Sequence, residues 1–399
     1  MALPHLRIKK RDQQRLRDGH LWVYSNEIDT DATPLKAISG NLVHLEDYRG
    51  QFLATASFNP QSLICARILS TAALDVLDQN FFSQKIGAAL ALRDAIFKLP
   101  FYRLIFAEGD FLPGLIIDRF DDILVIQIST QAIEQAKAEL IAALQTIFSA
   151  NIKILFKNDG KGRHMEQLPE YTEQLGSAFA QIELIENGVK FNAPLDGQKT
   201  GWFFDHRDGR QWLNACVSGK TVLDVFSYIG GWGIQAAAHG ATQVTCVDAS
   251  QKAIDQLLLN AQLNQLEQVR GICADAFDYL KTSDHAQNNS AQNSSQFDVV
   301  VLDPPALIQK RRDFEQGRQA YFSLNEQALK RVAAGGLFIS ASCSLHMSSD
   351  ELLKIVQQIA RRQNKQIQLI HQAGPAADHP RLLAMPEADY LKCFMFKVL

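Results

Sequence analysis

The sequence predicts an α/β protein: an open parallel sheet in the C-terminal half, preceded by a small β-barrel and an α+β middle region. Three observations carry this. From about residue 182 onward, apolar runs alternate with amphipathic segments in a strand–helix rhythm, the pattern of a parallel sheet with helical crossovers. Residues 1–72 show closely spaced short strand patterns punctuated by Gly40, Gly50 and Pro60, as small barrels do. Residues 75–180 mix the two periods. The expected domains are 1–73, 74–184 and 185–399, with a hairpin at 182–195 as linker.

In chain order, the basic stretch before residue 20 reads as helical with Gly19 as its stop, and strands are expected at 20–28, 40–47, 50–60 and 62–70. The middle region opens with an amphipathic helix over 78–97. Strands at 114–120 and 123–129 follow, joined by a turn at Asp121-Asp122. Ile133, Ala136, Leu140, Leu144 and Ile147 then recur at helical spacing, and 152–159 is another strand. Asn187-Gly188 inside alternating apolar residues is a strong hairpin signal. Beyond it come strands at 221–226, 243–248, 269–275, 297–303 and 336–342, separated by helices at 231–239, 250–264, 276–281, 320–333 and 348–363. Ser348 with Glu351 fits a capping box. Strand patterns at 366–371 and 390–398 follow without an intervening helix, so an antiparallel closing pair is expected. The polar, low-complexity stretch 282–296 buries too little to order itself and reads as a surface insertion.

The composition is that of a globular chain: 399 residues, 47% hydrophobic and 21% charged, with net charge -3. No apolar run reaches the roughly 18 residues of a membrane span, and the N-terminus lacks a secretory pattern. Six cysteines (65, 216, 246, 273, 343 and 393) are scattered without a CxxC pair, which argues against a zinc site and a disulfide framework. A soluble, reduced, cytoplasmic protein without membrane or metal is expected. Residues 1–24 carry six basic side chains against Asp12 and Asp18. Arg7, Lys9 and Lys10 therefore read as a polyanion-binding end on a near-neutral body, or as a solvated helix face.

Ligands of open parallel sheets bind beyond the strand carboxyl ends, and here every strand end carries a polar or special residue. After the first strand, Phe226, Ser227, Tyr228, Gly230, Gly231 and Gly233 form a loop whose glycines let backbone approach a ligand closely. Asp248, with Ala249, stands where an acidic residue would hold ribose hydroxyls. Asp275, with Ala276, is placed to accept from an adenine amino group. Singly, such residues are often only turn glycines and helix caps. Together, in this order, they point to S-adenosylmethionine. Asp303-Pro304-Pro305 stiffens the fourth strand end and presents a rigid acceptor able to grip a nucleobase. Cys343, flanked by Ser342 and Ser344, ends the next strand. A pyrimidine carbon-5 is a poor nucleophile, and a thiolate adding at carbon-6 makes it enamine-like. The other C-terminal cysteines read as core. Arg207 and Arg210, near Asp205, could pair with the cofactor carboxylate or a phosphate. Lys310, Arg311, Arg312 and Arg318, with Lys157, Lys161 and Arg163, could form a phosphate-contacting rim. Glu108 and Asp118 read as turn-fixing groups.

These stretches resemble the RlmI-type family of class I methyltransferases, which form 5-methylcytosine in large-subunit (23S) ribosomal RNA. The matching motifs are GHLWVYSNEI, GQFLATASFNPQSLICARILS, AEGDFLPGLIIDRF, NDGKGRHMEQL, QKTGWFFDHRDGR, VLDVFSYIGGWG, VVLDPPAL, SASCSLHMS and ADHPRLLAMPEADYLKCF. The resemblance spans nearly the whole chain. It implies a PUA-like RNA-binding barrel at the N-terminus, a central α+β domain and a Rossmann-like domain using S-adenosylmethionine. It also implies Cys343 as nucleophile, Asp303 as the group gripping the base, and Asp248 and Asp275 as cofactor ligands. Pro304, Pro305, Lys310 and Arg311 fall on the RNA side with Arg7, Lys9 and Lys10. No second cysteine stands at the fourth strand end, where Pro305 is, so Asp303 or an ordered water is expected to remove the carbon-5 proton. Ribosomal RNA is the expected partner, with no DNA; a homo-oligomer is compatible with the sequence. Alternatives at this level are a class I methyltransferase acting on another base or on a protein, with Cys343 structural, and a non-catalytic RNA-binding assembly factor.

Overall fold

The computed structural model describes residues 3–33, 41–195, 197, 200–282 and 296–399. Apart from its two end residues, the stretch 282–296 lies outside them. The chain divides into two compact units. One comprises Met1–Ile182, Leu195–Trp202 and Ala377–Ala388; the other comprises Glu183–Pro194, Phe203–Ala376 and Asp389–Leu399.

In the first unit, β1 (His5–Arg7), α1 (Gln13–Arg17), β2 (Trp22–Tyr24), β3 (Leu42–Glu46), β4 (Phe52–Phe58) and β5 (Ile64–Ser70) build a sheet of order β1-β3-β4-β5-β2. Its core includes Leu6, Val23, Val43, Leu45, Ala56 and Cys65. Only Gln13–Arg17 of the basic stretch is helical. Gly19 ends that turn with φ +101°, the left-handed conformation glycine tolerates. His5–Arg7 is a strand, because Leu6 points into the core between two outward-facing neighbours.

The same unit continues with α2 (Gln79–Ile96), β6 (Phe101–Phe106), β7 (Leu115–Phe120), β8 (Ile123–Ile128), α3 (Gln131–Gln135), α4 (Lys137–Ile147), β9 (Lys153–Asn158) and β10 (Tyr171–Leu175). Their sheet has the order β10-β9-β8-β7-β6, and only β8 and β9 are parallel. Asp78 caps α2 by accepting from Phe81 N at 2.8 Å. The helical spacing expected over 133–147 is interrupted at Ala136 (φ -89°, ψ 15°), which separates α3 from α4. Strands β6 and β10 are not among the expected elements; β10, YTEQL, has no fully buried position and only Tyr171 and Leu175 as apolar residues, so it carries little strand pattern.

The second unit begins at Glu183, within the hairpin of β11 (Gln181–Glu186) and β12 (Val189–Pro194). Asn187 and Gly188 both have positive φ, +51° and +82°, as a tight two-residue hairpin turn requires. Then follow α5 (Arg207–Asn214), β13 (Thr221–Val225), α6 (Gly233–Ala238), β14 (Gln243–Asp248), α7 (Gln251–Leu263), β15 (Val269–Cys273), α8 (Ala276–Thr282), β16 (Phe297–Leu302), α9 (Phe314–Lys330), β17 (Val332–Ser342), α10 (Ser349–Arg362), β18 (Ile367–Ala373) and β19 (Lys392–Val398). The sheet order is β15-β14-β13-β16-β17-β19-β18. Strands β13 to β17 are parallel, and β19 runs antiparallel between β17 and β18. The chain reverses its direction of travel across the sheet at β13, which lies between β14 and β16. That switch point opens a crevice at the carboxyl ends. Helix α9 starts six residues before the expected 320 and stops at Lys330, because Val332 already enters the sheet. At α10, Ser348 Oγ accepts from Glu351 N at 3.1 Å, but the Glu351 carboxylate pairs with Arg318 instead of closing the box. Among the described residues no helix is long and apolar enough to cross a membrane.

Candidate active site

The loop after β13 is strained and tightly held. Phe226 and Tyr228 have φ +66° and +48°, conformations that each cost a non-glycine residue on the order of 1–3 kcal/mol. Compensating bonds come from the neighbouring strand. The backbone N–H groups of Phe226 and Ser227 both donate to Val247 O, at 2.9 and 3.0 Å. Asp248 Oδ2 accepts from Tyr228 N at 2.9 Å, and its Oδ1 accepts from Ser250 N at 2.9 Å. The glycines are spatial requirements. A Cβ on Gly231 would lie 3.0 Å from Arg210, and one on Gly233 would lie 2.4 Å from Cys246 Sγ. Beneath the loop, the fully buried Asp224 accepts from Gly233 N at 2.8 Å. Burial pushes its carboxyl up to about 7, with the Gly233 bond opposing.

Asp248 and Asp275 follow adjacent strands, Asp248 pairing in register with Cys273. Asp275 is exposed and caps α8, its Oδ1 accepting from Phe277 N at 2.8 Å and Asp278 N at 3.1 Å. Ala249 is exposed, and Ala276 is buried.

Asp303 stands at the end of β16. Its Oδ2 accepts from Trp232 Nε1 at 3.0 Å, and its Oδ1 lies 3.1 Å from His206 Nε2. Pro304 is buried and Pro305 exposed. Cys343, half-buried at the end of β17, directs its thiol to Pro304 O at 3.9 Å. Hydrogen bonds fix its flanks. Ser342 Oγ donates to Tyr321 OH at 2.8 Å, Tyr321 OH lies 2.9 Å from Ser344 Oγ, and Ile308 N donates to Ser344 Oγ at 3.1 Å. A cation stands close by. Lys392 faces Ser342 across the β17–β19 pair and donates to Ser344 O at 3.1 Å. Burial pulls the Lys392 ammonium below its ordinary range, while Asp389 and Cys343 oppose that shift.

A PUA-like domain model matches residues 6–71, and an S-adenosylmethionine-dependent methyltransferase model matches residues 122–372. Ribosomal RNA large subunit methyltransferase I of Photobacterium profundum is 36% identical over 392 residues, covering 96% of each chain. The protein of the same name from Escherichia coli K12 is 34% identical over 402 residues, covering 98% of each. The chain belongs to the ribosomal RNA large subunit methyltransferase I family. A solved structure described as a methyltransferase, SMU.776 complexed with S-adenosylhomocysteine, superposes with TM-score 0.83 at 23% identity. The match covers 99% of this chain and 100% of that one, and it shows the fold.

This methyltransferase uses S-adenosylmethionine, and its crevice residues suit that molecule. Ser227 is buried, and its Oγ has no hydrogen-bond partner among the described residues. The Asp248 carboxylate is held by two backbone bonds and remains partly exposed. A Cβ at Gly231 would press on the Arg210 guanidinium at 3.0 Å, so glycine keeps the backbone open there. Phe226, Ser227, Tyr228, Gly230, Gly231, Asp248, Ala249, Asp275 and Ala276 thus stand together along the carboxyl edge from β13 to β15. Asp303 and Cys343 stand further along the same edge. Arg207 is placed differently: it is buried, with Nε 3.5 Å from Glu186 Oε2, while Arg210 donates to Glu186 Oε1 at 2.7 Å.

Among the basic candidates, Lys310 and Arg311 are exposed beyond the Asp-Pro-Pro turn. Lys157 and Arg163 do not form a solvent-facing rim. Both are buried, Lys157 donating to Gly197 O and Arg163 to Ile128 O and Pro169 O, the last at 2.8 Å. In the first unit Arg7 pairs with Glu46 at 3.2 Å, Lys9 donates to Asn26 O at 2.9 Å, and Lys10 lies over the Tyr48 ring. Glu108 accepts from Trp22 Nε1 at 2.7 Å and Asp118 pairs with Arg103 at 2.8 Å, so each ties the fold together rather than a turn. His206, Trp232, Glu186 and Lys392 escaped the sequence analysis. His206 stands within the quoted motif QKTGWFFDHRDGR and was readable there. Lys392 becomes visible only once β19 is known to lie against β17.

Proposed function

We propose that this methyltransferase acts on carbon-5 of a cytosine in large-subunit (23S) ribosomal RNA, with Cys343 as covalent nucleophile. The supporting observation is the seating of the Cys343 thiol beside the Asp303-Pro304-Pro305 turn, on the same sheet edge as the loop 226–233. The relatives' printed name supplies the RNA class.

The cofactor supplies an electrophilic methyl group. On the protein side, the Cys343 thiolate adds to carbon-6 of the base, its electron pair forming the C–S bond and raising electron density at carbon-5. After methylation the carbon-5 proton leaves to a base, the carbon–sulfur bond breaks and the thiolate is regenerated. Lys392, close to the thiol, favours its ionised form. The target base must be flipped or single-stranded, since carbon-5 must face the methyl group. The barrel 1–73, with Arg7, Lys9 and Lys10, contributes RNA backbone affinity, as do Lys310 and Arg311. Residues 74–184 form the central domain, and 185–399 carry the chemistry in the cytoplasm.

The test uses ribosomal RNA fragments containing 5-fluorocytosine, in which the final proton loss is blocked. A covalent protein–RNA complex that requires S-adenosylmethionine and disappears in Cys343→Ala is expected. Efficient methylation of ordinary RNA by Cys343→Ala discards the covalent route. Methyl groups mapped to another base or to protein discard cytosine.

A further inference from the structure

His206 is 5% exposed, yet it faces the one carboxylate assigned to the target base. We infer that His206 is a positioning residue: its imidazolium and the Trp232 indole each hold one oxygen of Asp303, so Asp303 grips the base as a fixed, ionised acceptor and carries no proton of the reaction. This rests on the reading that Asp303 faces the base.

The geometry supports it from two sides. His206 Nε2 and Trp232 Nε1 lie 3.1 and 3.0 Å from different oxygens of the same carboxylate. Each oxygen therefore keeps a lone pair for an outside donor, such as a cytosine amino group. The two rings themselves pack edge to face with centroids 5.4 Å apart. Trp232 is wedged by Gly209, where a Cβ would lie 3.0 Å from the indole. The clamp therefore has little freedom to rotate.

Around His206 the polar groups act in one direction, while the carboxylates of Asp224 and Asp303 repel each other. Asp303, Cys393 of β19 and Asp205 all favour the charged ring of His206. Burial works against that charge and is overridden, leaving the imidazole pKa raised to about 10. For Asp303, burial is likewise overridden by His206, Trp232 and Arg210, and its carboxyl is held below the ordinary range. A carboxylate so stabilised is a poor general base near neutral pH, where proton transfer works best with a pKa near the working pH. Of the two expected acceptors for the carbon-5 proton, an ordered water is therefore the one that fits.

The experiment compares wild type, His206→Gln, His206→Leu and Asp303→Asn. It measures total methyl transfer to ribosomal RNA from pH 5.5 to 9 and S-adenosylmethionine binding by calorimetry. His206→Leu should lower kcat by about tenfold or more with cofactor affinity nearly unchanged, as expected for loss of a charge-assisted bond. His206→Gln keeps a donor but removes the charge. It should recover part of kcat and show an acidic limb shifted upward relative to wild type. A wild-type pH profile in His206→Gln overturns the inference, and that variant decides the matter even if His206→Leu does not fold. Wild-type transfer by Asp303→Asn instead defeats the underlying assignment of Asp303 to the base. As a readout without activity, the histidine ¹⁵N spectrum should show one ring still protonated above pH 8; its absence at pH 7 also overturns the inference.

Discussion

Three carboxylates of one crevice differ because their surroundings differ. Asp303 has the His206 ring and the Trp232 indole on its two oxygens, Asp248 has two backbone donors, and Asp224 has burial with a single backbone bond. For Asp224 the folded pKa, about 7, lies above the ordinary 3.8. The folded state thus holds this proton more tightly than the unfolded chain, and stability contributed here is lost as pH rises from about 4 to 7. Asp224→Asn keeps an acceptor for Gly233 N without the charge. At pH 8 it should be more stable than wild type by about 1–3 kcal/mol, and the gap should close below pH 4. Denaturant titrations at both pH values check this, and an equal gap at pH 4 and pH 8 would exclude the charge as its cause. Asp248→Ala should weaken S-adenosylmethionine binding by about tenfold or more, because a ligand bond and two loop bonds go together. Calorimetry with unchanged circular dichroism reads that out.

Among the elements, the turn between β13 and α6 is the most exacting. Its conformation is held by Val247 O, Asp248 and Asp224, on the two strands it joins or borders. Gly233→Ala drives a methyl into Cys246 Sγ at 2.4 Å. A cost of about 1–3 kcal/mol in stability is expected from overpacking, along with loss of cofactor affinity. Gly188→Ala, with open space around it but φ +82°, should cost stability alone. The Cys343 turn depends on two elements beyond its own strand, since Tyr321 of α9 and Lys392 of β19 brace it. Cys343→Ala should abolish methyl transfer while cofactor affinity stays at the wild-type value. Cys216→Ala should keep transfer, and Cys393→Ala, fully buried, should lose modest stability. If Cys343→Ala retains most transfer, the braced turn is a structural feature alone.

Across the whole chain, the first unit is more interlocked than its sequence suggests. Glu166 accepts from Asn59 at 2.9 Å and Arg67 at 2.7 Å, and Met385 lies in the barrel core. Removing residues 1–72 would strip partners from buried groups, so truncation tests folding as much as RNA binding. Charge reversal is the cleaner probe. Lys9→Glu with Lys10→Glu should weaken RNA binding and lower the slope of log affinity against log salt by about one per lost phosphate contact. Cofactor affinity should stay unchanged. Equal RNA affinity across a salt titration would remove the N-terminal end from the RNA surface.

Local chemistry made much of this molecule legible in the sequence. Period-2 and period-3.6 apolar patterns located nearly every sheet strand and crossover helix of the second unit, because those elements are buried on predictable faces. Asn187-Gly188, Gly19 and Asp303-Pro304-Pro305 announced their turns, because their backbones permit few alternatives. The crevice residues from Phe226 to Cys343 could be listed in order, since parallel strands deliver their carboxyl ends to one edge. Pairings between residues far apart in sequence were decided by tertiary structure alone. His206 on Asp303, Glu186 under Arg207 and Arg210, Lys392 beside Cys343 and Met385 in the barrel core link positions separated by 21 to 364 residues. No local propensity encodes such contacts. Which charge meets which depends on sheet order and burial, and burial gives the buried pairs their energetic weight.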